Sequence, residues 1–362
     1  MPAKPYSPKP SSPSAIDERR SAFTDADKEK TFKEQLIARI ESTRFDPNNP
    51  PPVEPWIYKL ADIECLHAGN LAVVVAALKS GKSSTMAAMM GGLIGDASRD
   101  YLGFTANPAV TGSILVFDTE QSRGDHFRLM SSVLRRAGLE QAPSRFASYS
   151  LLLESPADRL IAVCHMARKA AAEPGGLSAI FIDGVADLAL DVNSLEEATA
   201  TVDTLHKLAT ETRCVIIVAL HLNPGSEKSR GHLGSQIERK AESVFNLRKE
   251  EDIITILCKP ARRQEITAEK APRFKWNHEE EMFLSTESKA ASADDKRRAE
   301  LIEIADEVFA NRTELRWKEL GEAIKSARGG VPSTIEKRIK DMKRLGVIRW
   351  AGKGLYVKGG GQ

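Results

Sequence analysis

The stretch AALKSGKSS at residues 76–84 decides the expected fold. It follows the apolar run LAVVVAA (71–77) and precedes a segment of helical periodicity near residues 82–93. It fits the phosphate-binding pattern G-x-x-x-x-G-K-[ST], except that Ala76 stands where the first glycine is expected. In such a strand–loop–helix unit, backbone N–H groups point at a phosphate and the helix dipole adds positive charge. The stretch therefore predicts a nucleotide phosphate site.

The side chains of this stretch have different expected roles. Lys82 would reach the β and γ phosphates of ATP, and the Ser83 hydroxyl would bind Mg²⁺. Gly81 has no Cβ, so the backbone can approach the ligand closely. The other expected contact residues belong to the same loop and are Ala76, Ala77, Leu78, Lys79, Ser80 and Ser84. A plain Gly/Ser/Lys turn is the alternative, and the neighbouring strands weigh against it.

Further apolar runs lie on the carboxyl side of the loop. They are SILVFDT (113–119), SAIFIDG (178–184) and CVIIVAL (214–220), and they alternate with segments of helical periodicity near 121–138, 156–173 and 195–212. Buried strands separated by helices predict an α/β fold, a mostly parallel sheet covered by helices on both faces. After residue 242, the runs SVFNLR, DIITILCK, RFKWN and EMFLST predict antiparallel strands at the sheet's edge.

Two acidic residues follow strands of the predicted sheet. Asp183 stands at the carboxyl end of SAIFID, where it could bind the water shell of Mg²⁺, and Glu120 comes just after SILVFDT. An acid at the second position can polarise an attacking water. Ligands of open parallel sheets bind outside the carboxyl ends of the strands, so the loop and both acids should meet in one crevice.

The combination of these motifs resembles the RecA-like ATPase core over residues 56–287. The motifs are A-x-x-x-x-G-K-S, a strand that ends in D-T-E, then I-F-I-D-G and V-A-L-H. Within that core, the chain is similar to the RepA-type hexameric replicative DNA helicases of plasmids, phages and other mobile elements. The resemblance implies that Glu120 activates water, that Asp183 is the metal-site aspartate, and that His221 senses the γ-phosphate.

A Gly/Ser-rich segment after His221 resembles the DNA-contacting loop that lines the channel of RecA-like rings. It reads NPGSEKSRGHLGSQ (223–236) and carries Lys228 and Arg230. The resemblance implies that these two residues bind single-stranded DNA in the channel. A mobile surface loop is the alternative.

A basic segment after the strand DIITILCK resembles the K-x-R element that hexameric helicases insert into a neighbour's active site. It contains Lys259, Arg262 and Arg263. An arginine there would stabilise transition-state charge on the γ-phosphate. The spacing is K-P-A-R-R, not K-x-R, which leaves open which arginine acts, and a solvated basic turn is the alternative.

The residues before the core predict an arm. Residues 1–15 are rich in Pro, Ser and Lys and are expected to be disordered. Residues 16–55 are expected to form a helix from about Thr24 to Thr43, followed by the proline-rich linker PNNPPPVEP (47–55). Apolar residues recur on one face of this helix at Phe32, Leu36 and Ile40. The arm would pack on the main body or on a neighbouring subunit.

The residues after the core predict a small second domain. Residues 288–295 are expected to form a linker. In 296–362, helices at 296–310, about 317–327 and 333–345 precede a hairpin at 347–357, the element order of a winged-helix domain. Ser333 and Glu336 predict a capping box.

The last predicted helix has one apolar and one basic face. Ile335, Ile339 and Met342 share the first face, and Lys337, Lys340 and Arg344 fall on the opposite one. This pattern favours duplex DNA contact by the basic face, with Arg349 and Lys353 of the hairpin near phosphates. Protein docking is the alternative.

Composition and charge narrow the class of protein. The 362 residues have 41% hydrophobic and 28% charged side chains, which excludes wholesale disorder. Residues 292–362 hold 16 Lys and Arg against 11 Asp and Glu, a surplus of +5, which leaves −3 for the rest because the total is +2. No apolar run approaches the ~20 residues of a membrane helix. Four distant cysteines form neither a disulfide framework nor a zinc motif, so a cytoplasmic location is expected.

Together these features predict an ATP- and Mg²⁺-dependent DNA helicase or translocase, a homo-oligomeric ring expected to be a hexamer. One alternative is an ATP-switched, DNA-binding initiator or regulator. Another is a RecA-like recombination ATPase without unwinding activity. A partition-type ATPase is disfavoured, since its signature lysine would stand at the position of Ala77.

Overall fold

The computed structural model describes residues 25–223, 229, 231–260, 266–287 and 289–359. The contacts divide the chain into two compact units, Met1–Val53 and Glu54–Gln362. Several predicted features lie outside the described residues, namely segment 1–15, Thr24, Lys228, Arg230, Arg262 and Arg263.

In the first unit, helix α1 spans Asp25–Glu41. Its end is closed by the hydroxyl groups of Ser42 and Thr43, which donate to the carbonyl oxygens of Arg39 and Ile40. Phe32 and Ile40 are 60% and 54% exposed. The apolar stripe of α1 therefore has little cover within its own unit.

The second unit begins with the strands and helices of the core. Its strands are β1 (Trp56–Leu60), β2 (Ile63–His67), β3 (Leu71–Ala76), β4 (Phe104–Ala106), β5 (Ser113–Asp118), β6 (Phe146–Ser150), β7 (Leu177–Asp183), β8 (Val215–His221), β9 (Ser243–Glu250), β10 (Ile253–Pro260), β11 (Arg273–Asn277) and β12 (Met282–Thr286). Its helices are α2 (Lys82–Ile94), α3 (Arg123–Ala137), α4 (Pro156–Ala172), α5 (Leu195–Thr212) and α6 (Gly231–Lys240), with a 3₁₀ turn at Val185–Leu188.

Nine of these strands form one sheet in the order β12-β11-β10-β9-β3-β8-β7-β5-β6. The six strands from β9 to β6 run parallel, and β10, β11 and β12 extend the sheet in antiparallel fashion. This arrangement confirms the predicted α/β fold with a RecA-like, mostly parallel sheet. A separate antiparallel sheet of order β2-β1-β4, which the sequence analysis did not predict, also belongs to this part of the chain.

Both faces of the parallel sheet are buried, which explains why its strands are continuously apolar. On β3, Val74 packs in one layer with α2 and the small sheet, whereas Val73 and Val75 pack in the other with α4, α5 and α6. All six residues of β3 are buried. The phosphate loop is thus held between a fully buried strand and a helix whose inner face lies in the same core.

The carboxyl-terminal part of the chain contains three helices and three strands around their own core. They are α7 (Lys289–Phe309), β13 (Leu315–Arg316), α8 (Trp317–Arg328), α9 (Pro332–Arg344), β14 (Ile348–Gly352) and β15 (Leu355–Lys358), and the strands form an antiparallel sheet of order β13-β15-β14. The buried cluster includes Leu301, Leu320, Ile339 and Met342. The predicted apolar face of α9 is confirmed, since Ile335, Ile339 and Met342 are buried.

Two local predictions in this part were wrong. Residues 289–295 were expected to form a linker, but helix α7 already begins at Lys289. The alanines of this stretch have high helix propensity, which favours the earlier start. Helix α9 begins at Pro332 after Val331, and no side-chain hydrogen bond caps it. Proline is favoured at the first helical position because its φ is already helical, and this overrides the expected capping box at Ser333. None of the helices within the described residues combines the length and the hydrophobicity that a membrane crossing requires.

Candidate nucleotide site

The loop between β3 and α2 has the geometry of a phosphate-binding turn. Strand β3 ends at Ala76, α2 begins at Lys82, and Gly81 between them adopts a left-handed conformation with φ of 80°. The loop borders a cleft of about 430 Å³. The cleft is lined by Ala77, Lys79, Ser80, Gly81, Lys82, Ser83, Ser84, Glu120, Gln121, Asp183, His221 and Phe283.

Two predicted loop contacts do not line this cleft. Ala76 is fully buried in the core as the last residue of β3, and Leu78 is 75% exposed. The alanine that replaces the first glycine of the motif therefore contributes to strand packing. Its methyl group lies among core residues of the layer that contains α2.

Gly81 is needed for a reason that the sequence analysis did not find. A Cβ atom at this position would lie 2.8 Å from Cδ1 of Ile254 and 3.0 Å from the ring of Phe274. These residues belong to β10 and β11, so the antiparallel extension of the sheet packs behind the loop. Only glycine combines the positive φ with this close approach.

Four residues predicted from separate parts of the chain meet in the cleft. Nζ of Lys82 lies 2.9 Å from Nε2 of His221 and 4.0 Å from Oδ1 of Asp183. Nε2 of His221 lies 3.7 Å from Oε2 of Glu120. The strand register accounts for this proximity, because Ala76 is level with His221 and Asp118 is level with Asp183.

Asp183 has the environment of a cation ligand. Burial raises the pKa of its carboxyl group from 3.8 to about 6, and the nearby carboxylates of Glu120 and Asp118 add to the shift while Lys82 opposes it. At 4.0 Å, the Lys82 ammonium compensates this burial only partly. Among the described residues, Oδ1 of Asp183 has no hydrogen-bond partner. A divalent cation here would stabilise the ionised carboxylate, and the Ser83 hydroxyl lines the same cleft.

The turn after β5 holds Glu120 at this cleft. Oδ1 of Asp118 accepts hydrogen bonds from the backbone N–H groups of Glu120 and Gln121, at 3.0 and 2.9 Å. The hydroxyl of Thr119 donates to the carbonyl oxygen of Gly184 at 2.9 Å, which ties the turn to the end of β7. Nε2 of Gln121 donates to Oδ2 of Asp183 at 3.3 Å. No role was predicted from the sequence for Asp118, Thr119 or Gln121, although the first two belong to the D-T-E motif and the third follows it.

Lys259 is not brought to the cleft of its own chain. It is exposed on β10 and pairs with Val244 of β9, which is level with Val73 of β3. Lys259 therefore lies toward the amino ends of the parallel strands, whereas the phosphate loop follows their carboxyl ends. Lys259 could take part in ATP hydrolysis only at the nucleotide cleft of a second copy of the chain.

The predicted basic face of α9 is partly neutralised by acids. The guanidinium group of Arg344 pairs with the carboxylate of Asp294 at 2.8 and 2.9 Å, and Lys340 pairs with Glu336 at 3.0 Å. Lys337 is exposed. Arg344, one of the three DNA contacts predicted on α9, is therefore held against α7 by a two-point ion pair.

A phosphate loop between a buried parallel strand and a helix, with acids at the ends of neighbouring strands, defines a P-loop nucleotide-binding protein. A family model described as an AAA domain matches residues 33–227, which is more than half of the 362 residues. The chain therefore belongs to this family of P-loop ATPases, which bind nucleotide, typically with Mg²⁺. A comparison with curated proteins gives no match.

Proposed function

We propose that this protein is an ATP-dependent DNA helicase or translocase of the RepA type. It would act as a ring, expected to be a hexamer, in the cytoplasm during replication of a plasmid, phage or other mobile element. The observation that carries the proposal is the position of His221. It contacts Lys82 in the nucleotide cleft. One residue later, Leu222 forms a β-bridge with Ser229 of the segment 223–236 that is expected to bind DNA, although from Gly231 onward that segment belongs to α6 and is not a loop.

The geometry supports a division of roles in ATP hydrolysis. Lys82 and the backbone of the loop bind the phosphates, and Ser83 and Asp183 would hold Mg²⁺, whose charge would neutralise the triphosphate. Glu120 accepts a proton from the attacking water. Loss of the γ-phosphate alters the contacts of His221. Because Leu222 follows His221 and bridges to Ser229, this change moves the ends of the protein segment that is expected to bind DNA.

The composition of the cleft supports the proposal of a ring. Among the described residues that line it there is no arginine. Phosphoryl transfer gains roughly 10³–10⁵ in rate from an arginine that stabilises the transition state. We propose that a neighbouring subunit supplies it from the segment that contains Lys259, Arg262 and Arg263. The end of β10 that bears Lys259 lies away from its own cleft, which suits donation in trans.

Single-stranded DNA would lie in the channel of the ring against Lys228 and Arg230. We also propose that the carboxyl-terminal helices and sheet form a winged-helix domain that contacts duplex DNA through α9. Lys337 and Lys340 would make phosphate contacts directly, and Arg344 would have to exchange Asp294 for a phosphate. Such binding is electrostatic and weakens with salt.

The test is ATP hydrolysis with and without single-stranded DNA, together with unwinding of a forked duplex. Wild type is compared with Lys82→Ala and with Lys207→Ala, a control on the exposed face of α5. A motor predicts DNA-stimulated hydrolysis and unwinding that are both lost only in Lys82→Ala. Hydrolysis that does not change with single-stranded DNA would refute a motor.

The second candidate is an ATP-switched DNA-binding initiator or regulator, which the basic face of α9 favours. It predicts duplex binding by the carboxyl-terminal part of the chain without unwinding. A recombination ATPase would share the hydrolysis chemistry but form filaments. Electron micrographs of the ATP-bound protein on DNA separate rings from filaments.

A further inference from the structure

A hydrogen-bond network of polar side chains connects to the backbone of Glu120 on the side away from the cleft. Asp118 ends β5, His126 stands in the first turns of α3, and Ser148 lies on β6. Nδ1 of His126 is 3.1 Å from Oδ2 of Asp118, and Nε2 of His126 is 3.0 Å from the hydroxyl oxygen of Ser148. For a neutral imidazole both contacts are satisfied when Nδ1–H donates to Asp118 and the Ser148 hydroxyl donates to Nε2.

Asp118 depends on these donors because its side chain is only 1% exposed. A buried carboxylate is stable only when hydrogen bonds replace its hydration. Its Oδ1 atom accepts the N–H groups of Glu120 and Gln121, and its Oδ2 atom faces His126. His126 therefore orients the Asp118 carboxylate through Oδ2, and the carboxylate in turn positions the backbone of Glu120 and Gln121 through Oδ1.

The turn carries two groups that act at the nucleotide cleft. Glu120 is its expected base, and Gln121 donates to Oδ2 of Asp183. A rotation of the Asp118 carboxylate would move both N–H groups that it holds. Because the Glu120 side chain is 36% exposed, the hydrogen bond from its backbone N–H to Asp118 is an important restraint on its position.

We propose that Asp118 and His126 are positioning residues for hydrolysis: His126 orients the Asp118 carboxylate, which holds the backbone of Glu120 at the cleft. This inference rests on the proposed role of Glu120 in ATP hydrolysis. Neither Asp118 nor His126 is among the described residues that line the nucleotide cleft. Loss of His126 should therefore lower kcat and leave nucleotide affinity unchanged.

The test compares three substitutions of one residue. His126→Ala removes both contacts, whereas His126→Asn keeps an N–H donor two bonds from Cβ, as Nδ1 is. His126→Gln places its amide nitrogen three bonds from Cβ, as Nε2 is. Phe127→Ala is the matched control, because Phe127 is the next residue of α3 and is 73% exposed. The measurements are kcat and KM for ATP, binding of a fluorescent ADP analogue, and thermal unfolding.

We expect His126→Ala and His126→Gln to lower kcat by up to about 100-fold, the loss that follows a misplacement of about 1 Å. His126→Asn should restore most of the activity, and ADP binding should be unchanged in all three. Equal kcat in wild type and a folded His126→Ala, or rescue by Gln in place of Asn, would overturn the inference. If the alanine variant does not fold, the Asn and Gln pair decides. Absence of hydrolysis in the wild type would instead refute the proposed function.

Discussion

Nζ of Lys82 and Nε2 of His221 lie 2.9 Å apart, although the two residues are 139 positions apart in the chain. The lysine ammonium can only donate, so Nε2 of His221 is the acceptor in this contact. The bond joins the start of α2 to the end of β8 and thus links the phosphate loop to the segment after His221. A phosphate that binds Lys82 competes with this contact.

His221→Ala should uncouple ATP hydrolysis from its stimulation by single-stranded DNA. We expect the variant to hydrolyse ATP, because Lys82, Glu120 and Asp183 remain, but single-stranded DNA should no longer stimulate it. The ratio of rates with and without DNA should fall to about one, since coupling between two sites vanishes when neither alters the other. His278→Ala, an exposed histidine in the turn between β11 and β12, is the control. Undiminished stimulation in His221→Ala would contradict the proposed link.

Gly81→Ala should destabilise the protein and weaken nucleotide binding. The left-handed conformation costs about 1–2 kcal/mol for a residue with a Cβ atom, and the contact with Ile254 at 2.8 Å adds to it. Gly124→Ala is the matched control, because the nearest atom to its new Cβ would be 3.9 Å away. Chemical denaturation should show a loss for Gly81→Ala and little change for Gly124→Ala. Equal stability of the two variants would contradict the packing argument.

Asp183→Asn should stabilise the fold at neutral pH and abolish Mg²⁺-dependent nucleotide binding. The pKa of Asp183 is raised from 3.8 to about 6, so the folded state prefers the protonated carboxyl group. Its contribution to stability is greatest below pH 3.8 and declines as the pH rises to about 6. Above that pH the ionised group costs up to about 3 kcal/mol. Denaturation in the absence of Mg²⁺ should show that Asp183→Asn raises the free energy of unfolding more at pH 7 than at pH 4. An increase that does not depend on pH would refute this.

The four cysteines should differ in their reactivity toward a thiol reagent. Burial raises the pKa of Cys214 and of Cys258 to about 12, and that of Cys65 well above its ordinary value. Cys164 is only half-buried, and its pKa is raised less. At pH 8 we expect one thiol to react in the native protein and three more after unfolding. Cys164→Ser should remove the fast reaction, and its persistence would contradict the assignment.

Ile339→Ala should destabilise the carboxyl-terminal part of the chain without changing ATP hydrolysis measured in the absence of DNA. Ile339 is 1% exposed in a cluster separate from the two of the ATPase core, and truncation of a buried isoleucine costs about 2–5 kcal/mol. Val331→Ala, at a 61% exposed position before α9, should change little. Denaturation followed by tryptophan fluorescence and parallel hydrolysis assays test both statements. A fall in basal hydrolysis would show that the two cores depend on each other.

Local patterns were enough to locate the parallel strands, the helices between them and the phosphate loop. A strand buried on both faces is continuously apolar, and a loop that binds phosphate needs a glycine directly followed by a lysine, as Gly81 and Lys82 are. These are properties of neighbours in the chain. They also placed Glu120, Asp183 and His221 at strand ends, and therefore at one edge of the sheet.

Contacts between distant residues could be read only in the tertiary structure. The packing of Ile254 and Phe274 behind Gly81, the chain from Ser148 through His126 to Asp118, and the pairing of Arg344 with Asp294 each join separate elements. The order and register of the strands determine which of these residues meet. The sequence pattern of a single strand or helix does not predict such contacts. The small sheet of β1, β2 and β4 was missed for the same reason, because β4 pairs with residues of β1 that lie 44 to 48 positions earlier in the chain.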